Sequence, residues 1–347
     1  MMSESLAGCM AWNDIADILR NGKRFFLVSH KDPDGERYGN FWKKGKKNNT
    51  DGIIIVDKEA GPSSFRIVER IKTIVGAKKV GHAGTLDPFA TGILIVMVNQ
   101  ATKLSPFLMS QHKVYAAVLR LGIETDTQDL TGRVTSQSDI SGLAQETIRC
   151  KIMQFIGTIK QVPPPYSAVH FNGKRAYEWA RGGVAVNLKE REVRIDYIDI
   201  LSVNVPYVSV EVGCSSGTYI RALAADIGKS IGTGAHLVSL RRIKSGPYTI
   251  DDALTITQIG RCLSPHNSVN EIMIPLKDAL KGMIEIKVSD EVAQKIRDGC
   301  RPNRKDLFDE NLLPLNAYGC LKGVRGQELV AVLQKTNKGY DIKRIFV

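Results

Sequence analysis

The octet Gly81-His82-Ala83-Gly84-Thr85-Leu86-Asp87-Pro88 runs almost directly into Gly92-Ile93-Leu94-Ile95-Val96-Met97-Val98. The second stretch is apolar, β-branched and opened by glycine, which is strand chemistry. The first is punctuated by glycine and closed by proline, so it continues neither a strand nor a helix. A fold for this chain must therefore present Asp87 on a loop ahead of a strand. Asp before Pro is a common turn former, and spacing alone makes Asp87 a turn residue. Its context overturns that assignment.

Upstream, 53–56 reads as a strand and 57–62 as a turn. Ser63 or Ser64 then caps a helix with Ile67, Ile71, Ile74 and Val75 on one face, ending at Gly76. Downstream, 114–121 alternates as a strand, and 141–155 has helical spacing with Leu143, Ile148, Ile152 and Phe155 on its core face. Pro163-Pro164-Pro165 breaks regular structure, and 193–203 and 208–214 read as strands. Gly217 leads into a helix over 218–231, whose apolar residues Ile220, Leu223, Ala224 and Ile227 leave Arg221 on a different face. A further helix is expected over 267–280. Beyond it, short strands at 284–288, 318–324, 329–334 and 340–347, with a helix at Asp290–Arg297, read as a small all-β module.

At 347 residues the chain suggests two domains. A net charge of +12 and a pI near 9.4 favour a polyanionic partner, of which nucleic acid is the commonest. The run Lys43-Lys44-Gly45-Lys46-Lys47 reads as a solvated linker. No apolar run approaches the roughly 20 residues of a membrane span, so no membrane is expected. The first twelve residues lack a secretory signal, so a cytoplasmic address is expected. Six cysteines without a CxxC pair, and six histidines without HxxxH or HExxH spacing, point to reduced thiols and no metal site.

Four segments carry the chemistry: 52–64 with Lys58 and Pro62, 81–92 with His82 and Asp87, 113–122 with Tyr115, and 217–242 with Tyr219, Arg221 and Leu240. The strings GHAGTLDPFATG, YAAVLRLGIETDTQD, PPPYSAVHFNGKRAYEWARGG, and GTYIRALAADIG followed by GAHLVSLRR resemble the TruB family of pseudouridine synthases. These are bacterial enzymes acting on the T loop of tRNA, and the resemblance covers roughly 51–347. It implies an α+β fold with a mixed, largely antiparallel central sheet and helices, followed by a PUA-like β-barrel. The domains it implies are a catalytic domain over 51–282 and an RNA-binding module over 283–347.

The implied reaction isomerises uridine to pseudouridine at position 55. It breaks an N-glycosidic bond, turns the base and rejoins it through carbon, so it needs neither redox nor group transfer and no cofactor is expected. It does need an ionised carboxylate as nucleophile. By resemblance that group is Asp87, with attack at the ribose C1′, attack at the uracil C6 and assisted elimination to a glycal all open. Arg221 matches the family's arginine partner of the aspartate, against a bare reading as a surface helix arginine. Tyr115 matches a tyrosine lying against the base and a candidate acceptor of the C5 proton; bare pattern makes it a half-buried strand residue. Tyr219 and Leu240 match pocket-lining residues. His82 matches the histidine that fills the stack vacated by an extruded nucleotide. Lys58 is a phosphate contact, a loop contact or a solvated turn lysine.

In 163–183, Lys174, Arg175 and Arg181 alternate with Tyr166, Tyr177 and Trp179, a pattern suited to an RNA backbone with splayed bases. The expected partner is the tRNA T stem-loop, bound by a monomer without an obligatory protein partner. Ala83 stands where many members carry Thr. Residues 1–50 are foreign to the family: a helix is expected at 13–21, and Arg24 to Glu36, a strand at 24–28 and a polar loop from Ser29, resembles the start of a DHH-type phosphoesterase, followed by a linker over 37–50. Glu36 replaces that motif's last Asp and no Asp-His-His follows, so a phosphoesterase is disfavoured and the segment reads as a dispensable remnant. The other rivals are a non-catalytic tRNA-folding chaperone and a guide-RNA-dependent relative acting on rRNA.

Overall fold

The computed structural model describes residues 49–347 except 168, 172, 185, 264–267, 304, 308–318 and 337–338. The helix, strand and loop expected within 1–48 lie outside the described residues. In chain order the elements begin with β1 Gly52–Lys58, α1 Ser64–Val75, β2 Val80–Ala83, β3 Thr91–Val98, α2 Ser105–Met109 and β4 Lys113–Leu121. Next come β5 Ile123–Thr125, β6 Val134–Gln137, α3 Gln145–Met153, β7 Gly157–Gln161, β8 His170–Phe171, β9 Lys174–Arg175, α4 Ala176–Arg181, β10 Arg191–Asn204 and β11 Tyr207–Cys214. The rest are α5 Ile220–Ile231, β12 Ala235–Ser245, β13 Tyr248–Thr249, α6 Ile256–Cys262, β14 Ile274–Pro275, β15 Ile284–Lys287, α7 Asp290–Arg297, β16 Cys320–Arg325, β17 Glu328–Thr336 and β18 Gly339–Ile345.

The described chain forms two compact units. One, the loop unit, comprises 49–115, 214–217 and 240–347; the other, the hairpin unit, comprises 116–213 and 218–239. Strands β4, β11 and β12 contribute residues to both. In the loop unit β14, β1, β3 and β12 are successive neighbours. β1 and β3 pair antiparallel, β3 and β12 parallel, and β2 adds to β3. In the hairpin unit β4, β11, β10 and β7 are successive neighbours, with β5–β6 and β8–β9 as separate antiparallel hairpins.

Why β1 and β3 are continuously apolar is visible in their packing. Side chains alternate across a strand. Ile53, Ile55, Ile93, Ile95 and Met97 enter one core with Leu104, Leu108 and the C-terminal residues Val324, Leu329, Val332 and Phe346. Ile54, Val56, Leu94, Val96 and Val98 enter a second core with Ile67 and Ile71 of α1 and Ile256 and Ile259 of α6. Both faces of the pair are buried, so neither strand has a polar side. Each fully buried isoleucine contributes about 1.5–3 kcal/mol of burial energy.

The helix α1 has the expected cap: Ser63 Oγ accepts from Arg66 N, and Gly76 closes the helix in the left-handed region. Two helix expectations need correction. The expected 141–155 helix is confined to α3, with Gly142 at φ 82° ahead of it. The described part of 267–280 is not one α-helix but two 3-10 turns, Val269–Glu271 and Asp278–Leu280, on either side of β14. Ile274 pairs with Ile53 at the sheet edge, and Pro275, which lacks an N–H, is tolerated there where a helix interior would reject it.

At the C-terminal end, β15, β16, β17 and β18 form a four-stranded sheet in that order. Among the described residues this sheet is open, not a closed barrel. Its other face packs on α7 through Val292, Ala293 and Ile296. Among the described residues no helix is long and apolar enough to cross a membrane.

Candidate active site

In the loop unit, Asp87 is half-buried on a segment whose backbone is tied at nearly every residue. Ser64, buried at the start of α1, donates through Oγ to Leu86 O at 2.9 Å and accepts from Leu86 N at 2.9 Å. Ala90 N donates to Asp87 O, so Asp87 does open a turn. Gly61 N donates to Pro88 O at 2.8 Å. Lys58, wholly buried at the end of β1, donates to Pro88 O at 3.1 Å, Ala90 O at 2.7 Å and Glu59 O at 2.9 Å. Of the readings open for Lys58, the geometry shows the loop contact; an enclosed ammonium is not a solvated one. Burial pushes its pKa down to about 8, against the pull of the nearby Asp87 carboxylate.

The far side of the loop is held by Arg242. This side chain is 1% exposed; its Nε donates to Ile93 O at 2.7 Å and its Nη2 to Gly84 O at 3.1 Å. Gly92 pairs with Arg242 in the β3–β12 ladder at φ 97°, and a Cβ there would lie 2.3 Å from Arg242 O, so only glycine fits. Tyr115, buried on β4, has its phenol pKa raised by burial, with the Arg242 charge opposing and Cys214 and Asp87 adding to the rise. Lys113, two residues earlier and also buried, donates to Met109 O and Gln111 O, and burial lowers its pKa to about 8. Leu240 is buried on β12, and His82 lies on β2 opposite Val96.

The hairpin unit carries Tyr219 and Arg221 at the start of α5. Gln161 clamps Tyr219 through both backbone groups: its Oε1 accepts from Tyr219 N at 2.8 Å and its Nε2 donates to Tyr219 O at 3.0 Å. Arg191 lies over the Tyr219 ring, 5.0 Å from the centroid. Arg221 is not a surface arginine; it is 3% exposed. Its guanidinium donates to Thr127 O and Tyr166 O, each at 2.9 Å, and pairs with Asp129 Oδ2 at 3.5 Å. Asp129 is itself fixed by Thr127 Oγ1 and the Thr131 amide on Oδ1. In the basic and aromatic segment, Lys174 lies over Trp179 at 5.2 Å, and Trp179 donates to Phe171 O.

The loop unit thus brings Lys58, Asp87 and Tyr115 together, and the hairpin unit brings Tyr219 and Arg221 together. Four residues escaped the sequence reading: Arg242, Lys113, Gln161 and Asp129. A signal existed for two of them. Arg242 shares strand parity with buried Leu240, whereas Arg241 has the opposite parity and bonds Asp57 at 2.7 Å. Lys113 shares parity with Tyr115. Asp129, in a Thr-Asp-Thr-Gln-Asp stretch, and Gln161 carried none.

Two family models match consecutive stretches. TruB family pseudouridylate synthase (N terminal domain) matches 72–220, and tRNA pseudouridylate synthase B C-terminal domain matches 221–283. The chain is 42% identical over 263 residues to a tRNA pseudouridine synthase B of Syntrophus aciditrophicus, covering 76% of this chain and 83% of that one. It is 37% identical over 296 residues to the protein of the same name from Clostridium tetani, covering 85% and 99%. Among solved structures, a Cbf5-Nop10-Gar1 complex aligns with a TM-score of 0.67 and 25% identity over 85% of each chain. The mixed sheet with its helices is the pseudouridine synthase fold, and with these matches spanning both units the chain belongs to the TruB family of pseudouridylate synthases.

Proposed function

We propose that this protein is a tRNA pseudouridine synthase that isomerises uridine 55 in the T loop, with Asp87 as nucleophile. The observation that carries this reading is the Asp87 loop: a reachable carboxylate on a backbone fixed from both sides, beside a buried tyrosine. Such fixing holds a nucleophile ready at no further entropic cost when substrate arrives.

The reaction balances without outside groups. The N1–C1′ bond breaks, the uracil turns, and a C5–C1′ bond forms. The C5 proton leaves and N1 ends protonated. Tyr115 takes the C5 proton and Arg221 serves as the cationic partner of the nucleophile. Tyr219 and Leu240 line the base pocket, and His82 fills the stack left by the flipped nucleotide. We read the C-terminal sheet as a PUA-like module that grips the acceptor-stem side of tRNA. The enzyme acts as a cytoplasmic monomer without a protein partner. The relatives named tRNA pseudouridine synthase B, matched over 83% and 99% of their length, support the stand-alone reading over a guide-dependent one.

The test is incubation with an unmodified tRNA transcript followed by mapping of pseudouridine. The expected product is confined to position 55 and is lost in Asp87→Ala while tRNA binding persists. Tight binding without any product would replace catalysis with an RNA-folding role.

A further inference from the structure

Tyr219 stands at the N-cap of α5, and its own side chain caps nothing. A phenol is a poor cap; serine, threonine, asparagine or aspartate would hold that turn unaided. The turn is held from β7 instead. Gln161, 1% exposed, accepts from Tyr219 N and donates to Tyr219 O, and that carbonyl also accepts from Leu223 N in the first turn of the helix. The backbone of Tyr219 is thereby fixed, and only the two torsions of its side chain remain to be set. Arg191 is the register partner of Gln161 across the β7–β10 pair. Its guanidinium lies over the Tyr219 ring, 5.0 Å from the centroid, and both side chains are half-buried. Cross-strand neighbours thus hold one residue at two points, Gln161 at the main chain and Arg191 at the ring.

We propose that Arg191 is a positioning residue for the isomerisation: it covers one face of the Tyr219 ring and sets the ring plane, so that the other face receives the target uracil. This rests on the reading of Tyr219 as a wall of the base pocket. A planar guanidinium is drawn to an aromatic face and stacks flat on it, which a lysine ammonium does not. Without it the ring is free to turn among its rotamers on a fixed backbone. A reaction that detaches a base, turns it and rejoins it inside one pocket is sensitive to such loss of alignment. The rival use of a half-buried arginine is contact with an RNA phosphate. The ring contact is favoured because it is already made in the protein alone, and because the neighbouring Gln161 serves the same tyrosine.

The experiment measures single-turnover pseudouridine formation at saturating tRNA, and tRNA Kd across a range of salt, for Arg191→Gln, Tyr219→Leu and the double variant. Arg191→Gln should slow the step about tenfold, with Kd changed less than about threefold and its salt dependence unmoved. In the Tyr219→Leu background the same substitution should add less than about twofold, because no ring is left to hold. Arg191→Lys keeps the charge without the planar head and should stay at least ~threefold below the parent. If Arg191→Gln does not fold, Arg191→Met, which keeps an apolar stem, carries the same comparison. If Tyr219→Leu is too slow to follow, the salt dependence decides. A phosphate contact would weaken binding and lower the salt slope by about 1 in either background. That result, losses that multiply in the double variant, or a parental rate for Arg191→Gln would each overturn the proposal alone. A parental rate in Tyr219→Leu would instead remove Tyr219 from the pocket, and the positioning role with it.

Discussion

The Asp87 loop and the start of the Arg221 helix are both organised by buried charge, in opposite senses. Around Asp87, Lys58 and Arg242 direct their donors at carbonyl oxygens of the main chain, and the carboxylate stays half-buried. Around Arg221, the cation is the group being held, by two carbonyls and the Asp129 carboxylate. The first arrangement fixes a backbone; the second fixes a side chain and neutralises it. Breaking the first should cost position, and so rate. Breaking the second should cost stability, because it takes a carboxylate away from a buried cation.

The largest effect is expected from Asp129→Ala. With Arg221 still buried, removing its carboxylate should destabilise the protein by roughly 3 kcal/mol, read as a lower urea midpoint. A loss under about 1 kcal/mol would mean that the carbonyls alone suffice and that the two sites are alike.

Next comes Lys58→Met, which should slow pseudouridine formation ~100-fold by releasing Pro88 and Ala90, since small misplacements carry such penalties. Stability at neutral pH should change little, because three lost hydrogen bonds are offset by relief of a buried ammonium. The pH dependence sharpens this. The Lys58 pKa is about 8 in the fold and 10.5 as its ordinary value. Below pH 8 both states hold the proton and the burial penalty is complete. Between about 8 and 10.5 the unfolded chain binds more protons, so the parent gains stability relative to Lys58→Met, by on the order of 3 kcal/mol in all. Paired denaturation curves at pH 7 and pH 10 measure it, and a constant difference would refute the depressed pKa.

Ser64→Ala removes both Leu86 contacts. It should cost about 1–2 kcal/mol and slow the reaction about tenfold. Smallest is Arg70→Ala: its pair with Glu59, 36% and 46% exposed, should contribute under about 0.5 kcal/mol and leave the rate unchanged.

Strands β1 and β3 were legible because two-sided burial leaves an uninterrupted apolar signature, and α1 because its caps and its 3.6-residue period agree. Asp87 was legible through its loop chemistry and the company of three distant strings. Arg221 was legible as a residue of interest, but its contact with Asp129 was not. Asp129 lies 92 positions earlier in a stretch that reads as a polar turn, and only the fold joins them. The same holds for Gln161, a lone amide whose value comes from meeting both backbone groups of Tyr219. The 267–280 segment misled because its apolar spacing suits a helix, while Pro275 and the edge of β1 decide for a strand.

The core that joins β1 and β3 to the C-terminal sheet has a consequence for how this protein is made. Ile53 and Phe346 share one cluster although roughly 290 residues separate them. Ribosomes emit about 5–20 residues per second, so β1 leaves the tunnel some 15–60 s before the side chains that cover it. During that interval one face of an isoleucine-rich strand pair is open to solvent. The Asp87 loop, hung from that pair, cannot acquire its final support until translation is nearly over. Slow codons late in the message would lengthen that exposure, and holdase chaperones are the natural guard for it.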